Sequence, residues 1–157
     1  MQASLKRNID SSREEYGGES RQGLRKVMRP FRKGRPLLLE MRASRARGAW
    51  SFQREKNRAG IEKLKRELSR RYGVKVLRVE NLGNRVRMLA TFPGRGALRA
   101  FLRVFTQRLM FLVTGARKGN PQGKFFDAIA YSRVVDWAPN FARAVTTFRK
   151  NLDQFFT

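Results

Sequence analysis

The chain has 157 residues, with 36 Lys and Arg against 12 Asp and Glu, so its formal net charge at pH 7 is +24. It contains no Cys and no His, which excludes zinc fingers, disulfide scaffolds, thiol nucleophiles and imidazole bases. The 41% of hydrophobic residues, among them 12 Phe, suffice to build one folded core.

Residues 1–34 combine Ser, Gly and acidic residues with a rising number of cations, and they predict a basic, disordered arm. The folded domain is predicted to span residues 35–157. It opens with the apolar run Leu37–Met41 after a proline, which indicates a buried strand. Residues 42–57 are polar and rich in Arg, a composition typical of a loop.

A first helix and a hairpin are predicted next. Apolar residues recur at helical spacing up to a glycine stop at Gly73: Ile61, Leu64, Leu68 and Tyr72. Residues 74–80 and 85–92 then favour strands, and the turn residues Asn-Leu-Gly-Asn between them predict a hairpin. Period-two alternation puts Arg85 and Arg87 on one face of the second strand and predicts that the other face meets the helices: Val86, Met88, Ala90 and Phe92.

Residues 96–114 predict a long helix, because one apolar stripe runs along them: Leu98, Phe101, Leu102, Phe105, Leu109, Leu112 and Val113. Residues 124–135 are predicted to be extended. A last helix is predicted from a further stripe: Phe141, Ala144, Val145, Phe148, Leu152 and Phe155. The order predicts an α+β, ferredoxin-like βαββαβ fold with a C-terminal helix. Its antiparallel sheet would have helices on one face and leave the other face free.

The excess of positive charge makes nucleic acid the expected partner, DNA more than RNA, with an anionic membrane surface as the alternative. No window approaches the roughly 20 apolar residues of a membrane span. The amino terminus has no apolar signal core, and its acidic residues argue against a transit peptide. The expected location is the cytoplasm of a bacterium, in association with the nucleoid. No cofactor is expected.

Several short motifs follow one another in this order: RPLLLE, GAWSFQ, the strand Asn84–Leu89 with the sequence NRVRML, and FFDAIAYSRVVDW. Together they resemble the single-tyrosine HUH transposases, particularly the REP-associated tyrosine transposases, over about residues 35–155. The resemblance implies the ferredoxin-like fold. It also implies an ancestral site in which two His on one strand hold a metal and a Tyr on the last helix attacks phosphorus.

In that resemblance, Arg85 and Arg87 stand in the two His columns. Thr147 stands in the Tyr column, with Phe148 as the alternative alignment, and Asn151 in a further ligand column. Arginine stays protonated and cannot hold a metal ion, and a Thr hydroxyl is far less acidic than a phenol. The sequence therefore predicts a catalytically inactive, domesticated transposase with no metal site, which retains nucleic-acid binding.

Three groups of residues are predicted to bind nucleic acid. Arginines can bind phosphate oxygens and, beside an aromatic ring, also suit stacking on bases. The sheet group is Arg78, Arg85 and Arg87; the loop group is Arg45, Arg47, Trp50, Arg54, Lys56 and Arg58; the helix group is Arg95, Arg99 and Arg103. The sheet group and the helix group also have a simpler interpretation, namely a solvated flank of the strand or helix. Trp50, together with Phe52, could equally anchor the loop on the core.

Three other functions stay open. The first is an active nuclease in which Glu40, Glu80 or Asp127 rebuilds a metal site. The second is an RNA-binding protein of the same βαββαβ order, although the segment RVRMLATF lacks the aromatic pattern of RNA-recognition domains. The third is a nucleoid or coating protein that forms a homodimer or larger assembly on nucleic acid. Its contacts would use apolar residues outside the main helix stripe: Ala97, Ala100, Val104, Phe111, Phe155 and Phe156.

Overall fold

The computed structural model describes residues 15–19, 22–23 and 27–135. Five strands, two α-helices and one short 3-10 helix, Gly48–Trp50, are formed in this part. The strands are β1 Glu15–Tyr16, β2 Leu37–Arg42, β3 Lys75–Asn81, β4 Arg85–Thr91 and β5 Tyr131–Val134; the helices are α1 Glu55–Tyr72 and α2 Arg95–Thr114. The predicted last helix, with Thr147 and Asn151, lies outside the described residues.

The strands form one sheet in the order β1-β5-β2-β4-β3, and every neighbouring pair is antiparallel. Without β1, this is the strand order of a ferredoxin-like sheet, so the predicted α+β fold is confirmed. The additional strand comes from the predicted arm, since Glu15 pairs with Arg133 and Tyr16 with Ser132. The predicted boundary between the arm and the domain stays a prediction.

The helices pack on one face of the sheet. Strand alternation places Val86, Met88 and Ala90 on that face, as predicted, and all three are buried. The rings of Phe101 and Phe105 on α2 stack with their centroids 5.4 Å apart, and both are fully buried. The apolar stripes predicted for α1 and α2 therefore form the core between the sheet and these two helices.

Helix α1 ends where the sequence predicted but begins earlier. Gly73 caps the helix in the left-handed conformation, with φ of 66°, as the predicted stop requires. The start at Glu55 corrects the prediction of a loop through residue 57. The reason is Asn57, whose buried side-chain amide donates to the carbonyls of Ala49 and Ser51, at 2.9 Å each. A polar residue thus lies inside the helix and ties it to the preceding loop.

The predicted extended segment 124–135 is also only partly a strand, since β5 covers Tyr131–Val134. Its first half packs against the loop after β2 instead. Phe125 is buried in the core, and the Asp127 backbone N–H donates to the Arg42 carbonyl at 3.0 Å. Tertiary contacts therefore replace the strand pairing that composition favoured.

The sheet face opposite the helices is not free along its whole width, and the prediction of a free face is wrong there. Leu89 is fully buried and Val135 is 2% exposed, and Leu38 and Leu77 pack against them. These residues form a second, small apolar cluster on this side of the sheet. A nucleic acid therefore cannot lie flat on the row of Leu89.

The long helix α2 has little apolar surface left. Ala97, Ala100 and Val104 are half-buried, whereas Phe111 is 40% exposed. The surface that the sequence suggested for self-association is thus mostly covered within the described part of the chain. Neither of the two described helices is long and apolar enough to cross a membrane.

Candidate nucleic-acid interface

Two long loops meet at the end of the domain where α1 begins and α2 ends. The loop after β2 is held to the hairpin turn, because Ala43 and Phe52 donate backbone hydrogen bonds of 2.8 Å to the carbonyls of Asn84 and Gly83. The loop after α2 lies beside it. Their cations, with those of the first turn of α1, form what we call the basic end: Arg45, Arg47, Arg54, Lys56, Arg58, Arg117, Lys118 and Lys124.

Aromatic residues hold the two loops together. Phe52 is fully buried against Phe125, with ring centroids 6.0 Å apart, and Trp50 meets Phe125 edge-on at 6.3 Å. The Arg45 guanidinium lies 5.1 Å from the centre of the Trp50 ring and donates to the carbonyls of Gln122 at 2.6 Å and Lys124 at 2.8 Å. The interpretation of Trp50 and Phe52 as loop anchors is confirmed. Stacking of Trp50 on a base stays a prediction.

The cations of the basic end are exposed to solvent. Within the described part of the chain, no carboxylate forms an ion pair with any of them. The start of α1 adds to this charge, since its N-cap is Arg54, without a side-chain cap, and its first turn holds a single acid, Glu55. Cations at a helix N-terminus oppose the helix dipole. An anion bound here would relieve both the repulsion and the uncapped N–H groups.

The sheet group differs, because carboxylates surround its arginines. Arg87 Nε lies 2.5 Å from Glu40 Oε2, and Arg87 Nη1 lies 3.8 Å from Glu80 Oε2. Arg85 Nη1 lies 3.8 Å from the other oxygen of Glu40. The Arg87 side chain is only 16% exposed. Phosphate binding by Arg87 would therefore have to displace an internal ion pair.

Among these charged residues of the sheet, Glu80 is the most deeply buried. The residue is 5% exposed, and neither carboxylate oxygen has a hydrogen-bond partner among the described residues. Burial raises its pKa, against the opposing effect of Arg87 and of the half-buried Arg78. Arg87 thus balances the charges of Glu40 and Glu80 on the sheet face opposite α1 and α2, which we call the helix-free face because neither described helix packs there.

The carboxylates proposed for a nuclease site are all engaged with other side chains. Arg87 lies between Glu40 and Glu80, whereas Asp127 contacts Ser44 and Arg42. In the described part of the chain, no three His, Cys, Asp or Glu residues group closely enough to hold a metal ion.

The helix group separates into two kinds of residue. Arg95 donates to the Arg29 carbonyl, and its guanidinium lies 5.8 Å from the centre of the Phe31 ring, so it fastens the segment before β2 to α2. Arg99 and Arg103 are exposed along the same helix. They lie apart from the basic end, because α2 starts at the opposite end of the sheet.

Three cations of the basic end were not predicted from the sequence to bind nucleic acid: Arg117, Lys118 and Lys124. They lie in a polar loop, and no sequence pattern places this loop near residues 43–58. The Arg45 bonds to Gln122 and Lys124 join positions 77 and 79 residues apart. The sequence shows the adjacent cations Arg117 and Lys118, but only the fold shows that the two basic loops are neighbours.

The same pair of loops supports a prediction about Asp127. Its carboxylate accepts hydrogen bonds from the Ser44 N–H at 2.9 Å and the Ser44 hydroxyl at 2.6 Å, and Arg42 Nε lies 3.6 Å away. Burial raises its pKa, but these partners outweigh burial, so the pKa is lowered. The stabilisation is therefore present at neutral pH and is lost as the pH falls through the lowered pKa.

We expect Asp127→Asn to reduce the free energy of unfolding by about 1 to 2 kcal/mol at neutral pH. The difference from the wild type should shrink when the pH falls below about 3.9, the ordinary value for Asp. Urea unfolding at several pH values measures both. Glu62→Gln, which removes an exposed pair with Lys65, is the control and should change little. A difference that does not vary with pH would contradict the assignment.

Comparison with known proteins adds little to this geometry. No family model and no curated protein matches the chain. One solved structure that resembles it is the crystal structure, at 1.90 Å resolution, of a candidate transposase from Deinococcus radiodurans R1. The sequences are 11% identical, and the TM-score is 0.48 over 82% of this chain and 97% of that one.

Proposed function

We propose that this protein binds nucleic acid through the basic end. The observation that carries the proposal is the segregation of charge: exposed cations from two distant loops collect at one end without ion pairs among the described residues. On the helix-free sheet face, by contrast, arginines are matched with Glu40 and Glu80. Exposed cations that repel one another without a carboxylate between them suit a polyanion.

The mode of binding we propose is contact with phosphates rather than reading of bases. Guanidinium and ammonium groups of the basic end bind backbone oxygens, and the N–H groups at the start of α1 add donors. The strand positions on the helix-free face of β4 hold Arg85, Arg87 and Leu89 in place of stacking aromatics. This composition disfavours the mode used by RNA-recognition domains, so we propose DNA as the preferred partner.

A second proposal concerns the evolutionary origin of the protein and its lack of catalytic activity. We propose that the protein descends from single-tyrosine HUH transposases and is catalytically inactive. The support is chemical: Arg85 and Arg87 occupy the metal-ligand columns, and both are paired with Glu40. Tyr131 lies on the same sheet face, but burial, followed by the nearby Glu15, raises its pKa to about 12, which disfavours it as a nucleophile. A role in the bacterial nucleoid would suit such a protein.

Equilibrium binding to labelled oligonucleotides tests the proposal. Fluorescence anisotropy with single-stranded, hairpin and duplex DNA and with RNA should show binding at about 50 mM salt. The logarithm of the affinity should fall against the logarithm of salt concentration with a slope of roughly −5 to −7 if about six to eight phosphates are contacted. No binding at low salt would overturn the function. Cleavage or a covalent adduct with Mg²⁺ or Mn²⁺ would overturn the inactivity.

A further inference from the structure

We propose that Arg42 and Arg85 form a second phosphate-binding site next to the basic end, and that the carboxylate of Glu19 masks it. This inference rests on the proposed function and adds a means of regulation to it. Glu19 takes the place that a backbone phosphate would occupy. Displacing the segment around Glu19 extends the binding surface from the loops onto the end of the sheet.

The two arginines are placed as a pair by strand register. Arg42, the last residue of β2, lies directly opposite Arg85, the first residue of β4. Like charges in this relation destabilise a sheet unless a counter-charge is present. Both side chains leave the sheet on its helix-free face, and β2 continues at once into the loop of the basic end. A phosphate between them would be continuous with phosphates bound at that end.

The carboxylates near Arg42 and Arg85 contact the two guanidinium groups only at 3.3 to 3.8 Å. Arg42 Nη1 lies 3.3 Å from Glu19 Oε2, and its Nε lies 3.6 Å from Asp127 without a hydrogen-bond partner. Arg85 reaches Glu40 only at 3.8 Å, and Glu40 is already paired with Arg87 at 2.5 Å. Asp127 and Glu40 therefore have other partners. Glu19 is the most exposed of the three carboxylates, at 52%, and its side chain also contacts Asp127 by a hydrogen bond.

The ion pair of Glu19 is weak, whereas the backbone of its segment is held to the chain before β5 by the hydrogen bond from the Gly18 N–H to the Ile129 carbonyl. The Glu19 side chain is 52% exposed and that of Arg42 is 39% exposed, so their ion pair contributes little to stability. The preceding strand, β1, has two residues. A cavity of about 220 Å³ lies beside Glu19 and Arg42 and is also lined by Glu40, Asp127 and Tyr131. There is thus room for the segment to be exchanged for another anion.

Gly17 fixes how this segment approaches the sheet. Its φ is +72°, and a Cβ at this position would lie 2.4 Å from the Ala130 carbonyl oxygen. Any other residue would therefore push the segment away from β5. Gly17→Ala offers a way to lift Glu19 from Arg42 without changing a charge, which separates masking from a simple effect of net charge.

The test is binding of the full-length protein to a fluorescein-labelled single strand of about 20 nucleotides and to its duplex, at about 50 mM salt. Glu19→Gln and Gly17→Ala should each tighten binding on the order of fivefold and make the salt slope steeper by about 0.7 to 0.9, the value of one contact. The matched control is Glu67→Gln. It frees Arg108 from a pair of similar exposure on the helices and should change affinity less than about twofold.

The double variant Glu19→Gln/Arg42→Gln decides whether Arg42 is the site, and it should return the affinity to the wild-type value. The masking is overturned if Glu19→Gln gains no more than Glu67→Gln, or if the gain survives in the double variant. A gain with Glu19→Gln but none with Gly17→Ala would also overturn it, because charge alone would then explain the change. If no variant binds at low salt, the proposed function itself fails.

Discussion

A variant with four cations of the basic end replaced by Gln is expected to lose at least about a hundredfold in affinity for DNA at about 50 mM salt. The four positions are Arg47, Arg54, Arg117 and Lys118, which are exposed and form no ion pair among the described residues. Each neutralised phosphate contributes about 0.9 to the salt slope of duplex binding. The slope should therefore become shallower by roughly 3 to 4.

The control for this variant removes the same charge at the other end of the molecule. Arg70, Arg71, Lys75 and Arg99 lie where α1 ends and α2 begins. Since α1 has 18 residues, this end is about 27 Å from the basic end. Replacing these four by Gln should change affinity much less, apart from a small effect of net charge. Equal losses in the two variants would show that binding depends on total charge and would remove the case for the basic end.

Neither set of substitutions should alter the fold, because the side chains are exposed and none supports the core. Thermal unfolding of both variants should remain close to that of the wild type. The variant of the basic end should even be slightly more stable, since removing Arg54 lessens repulsion at the start of α1. A lower affinity combined with equal or greater stability is the mark of residues that serve binding.

The sequence predicted what depends on local periodicity. Period-two alternation placed Val86 and Met88 in the core and their neighbours Arg85 and Arg87 on the other face, and both placements agree with the structure. What alternation could not give was the register between strands. Glu40 lies opposite Arg87 across 47 residues of sequence, and that pairing converts an expected phosphate site into an internal ion pair. Such a partner is invisible until β2 and β4 are aligned.

The composition of the candidate site was also predicted only in part, because contacts between residues far apart in sequence form it. The cations between residues 45 and 58 were identified from composition, but Arg117 and Lys118 could not be. The two loops meet through contacts between residues far apart in sequence, among them those of Arg45, Phe125 and Asp127. Residues 15–19 were expected to be part of a disordered arm. Pairing of Glu15 with Arg133 and the hydrogen bond from the Gly18 N–H to the Ile129 carbonyl, at 2.9 Å, depend on partners more than 100 positions away.

The second large effect concerns stability and not binding: Arg87→Gln should lower the free energy of unfolding by about 3 kcal/mol or more at neutral pH. The substitution leaves Glu40 and the enclosed Glu80 without their shared cation. An unpaired buried carboxylate is far more destabilising than the pair was stabilising. Affinity of the folded protein for DNA should change less than about twofold, because Arg87 is only 16% exposed and already paired.

The pH dependence identifies Glu80 as the cause. Burial raises its folded-state pKa, so between this value and the ordinary one of about 4.3 the folded state binds more protons than the unfolded state. Ionised Glu80 therefore destabilises the fold at neutral pH, and stability recovers as the pH falls through the raised pKa. Removing Arg87 raises that pKa further. The loss in Arg87→Gln should consequently be largest at neutral pH and decline toward pH about 4.5.

The double variant Glu80→Gln/Arg87→Gln completes a double-mutant cycle. It should recover most of the stability that Arg87→Gln loses, because an amide replaces the buried charge. Urea unfolding at several pH values, with anisotropy measured on the same samples, separates the two possible roles of Arg87. A structural role predicts the pH-dependent loss, its rescue by Glu80→Gln and unchanged binding. If Arg87→Gln instead weakens DNA binding with stability intact, the carboxylates do not hold this arginine and the sheet face itself binds phosphate.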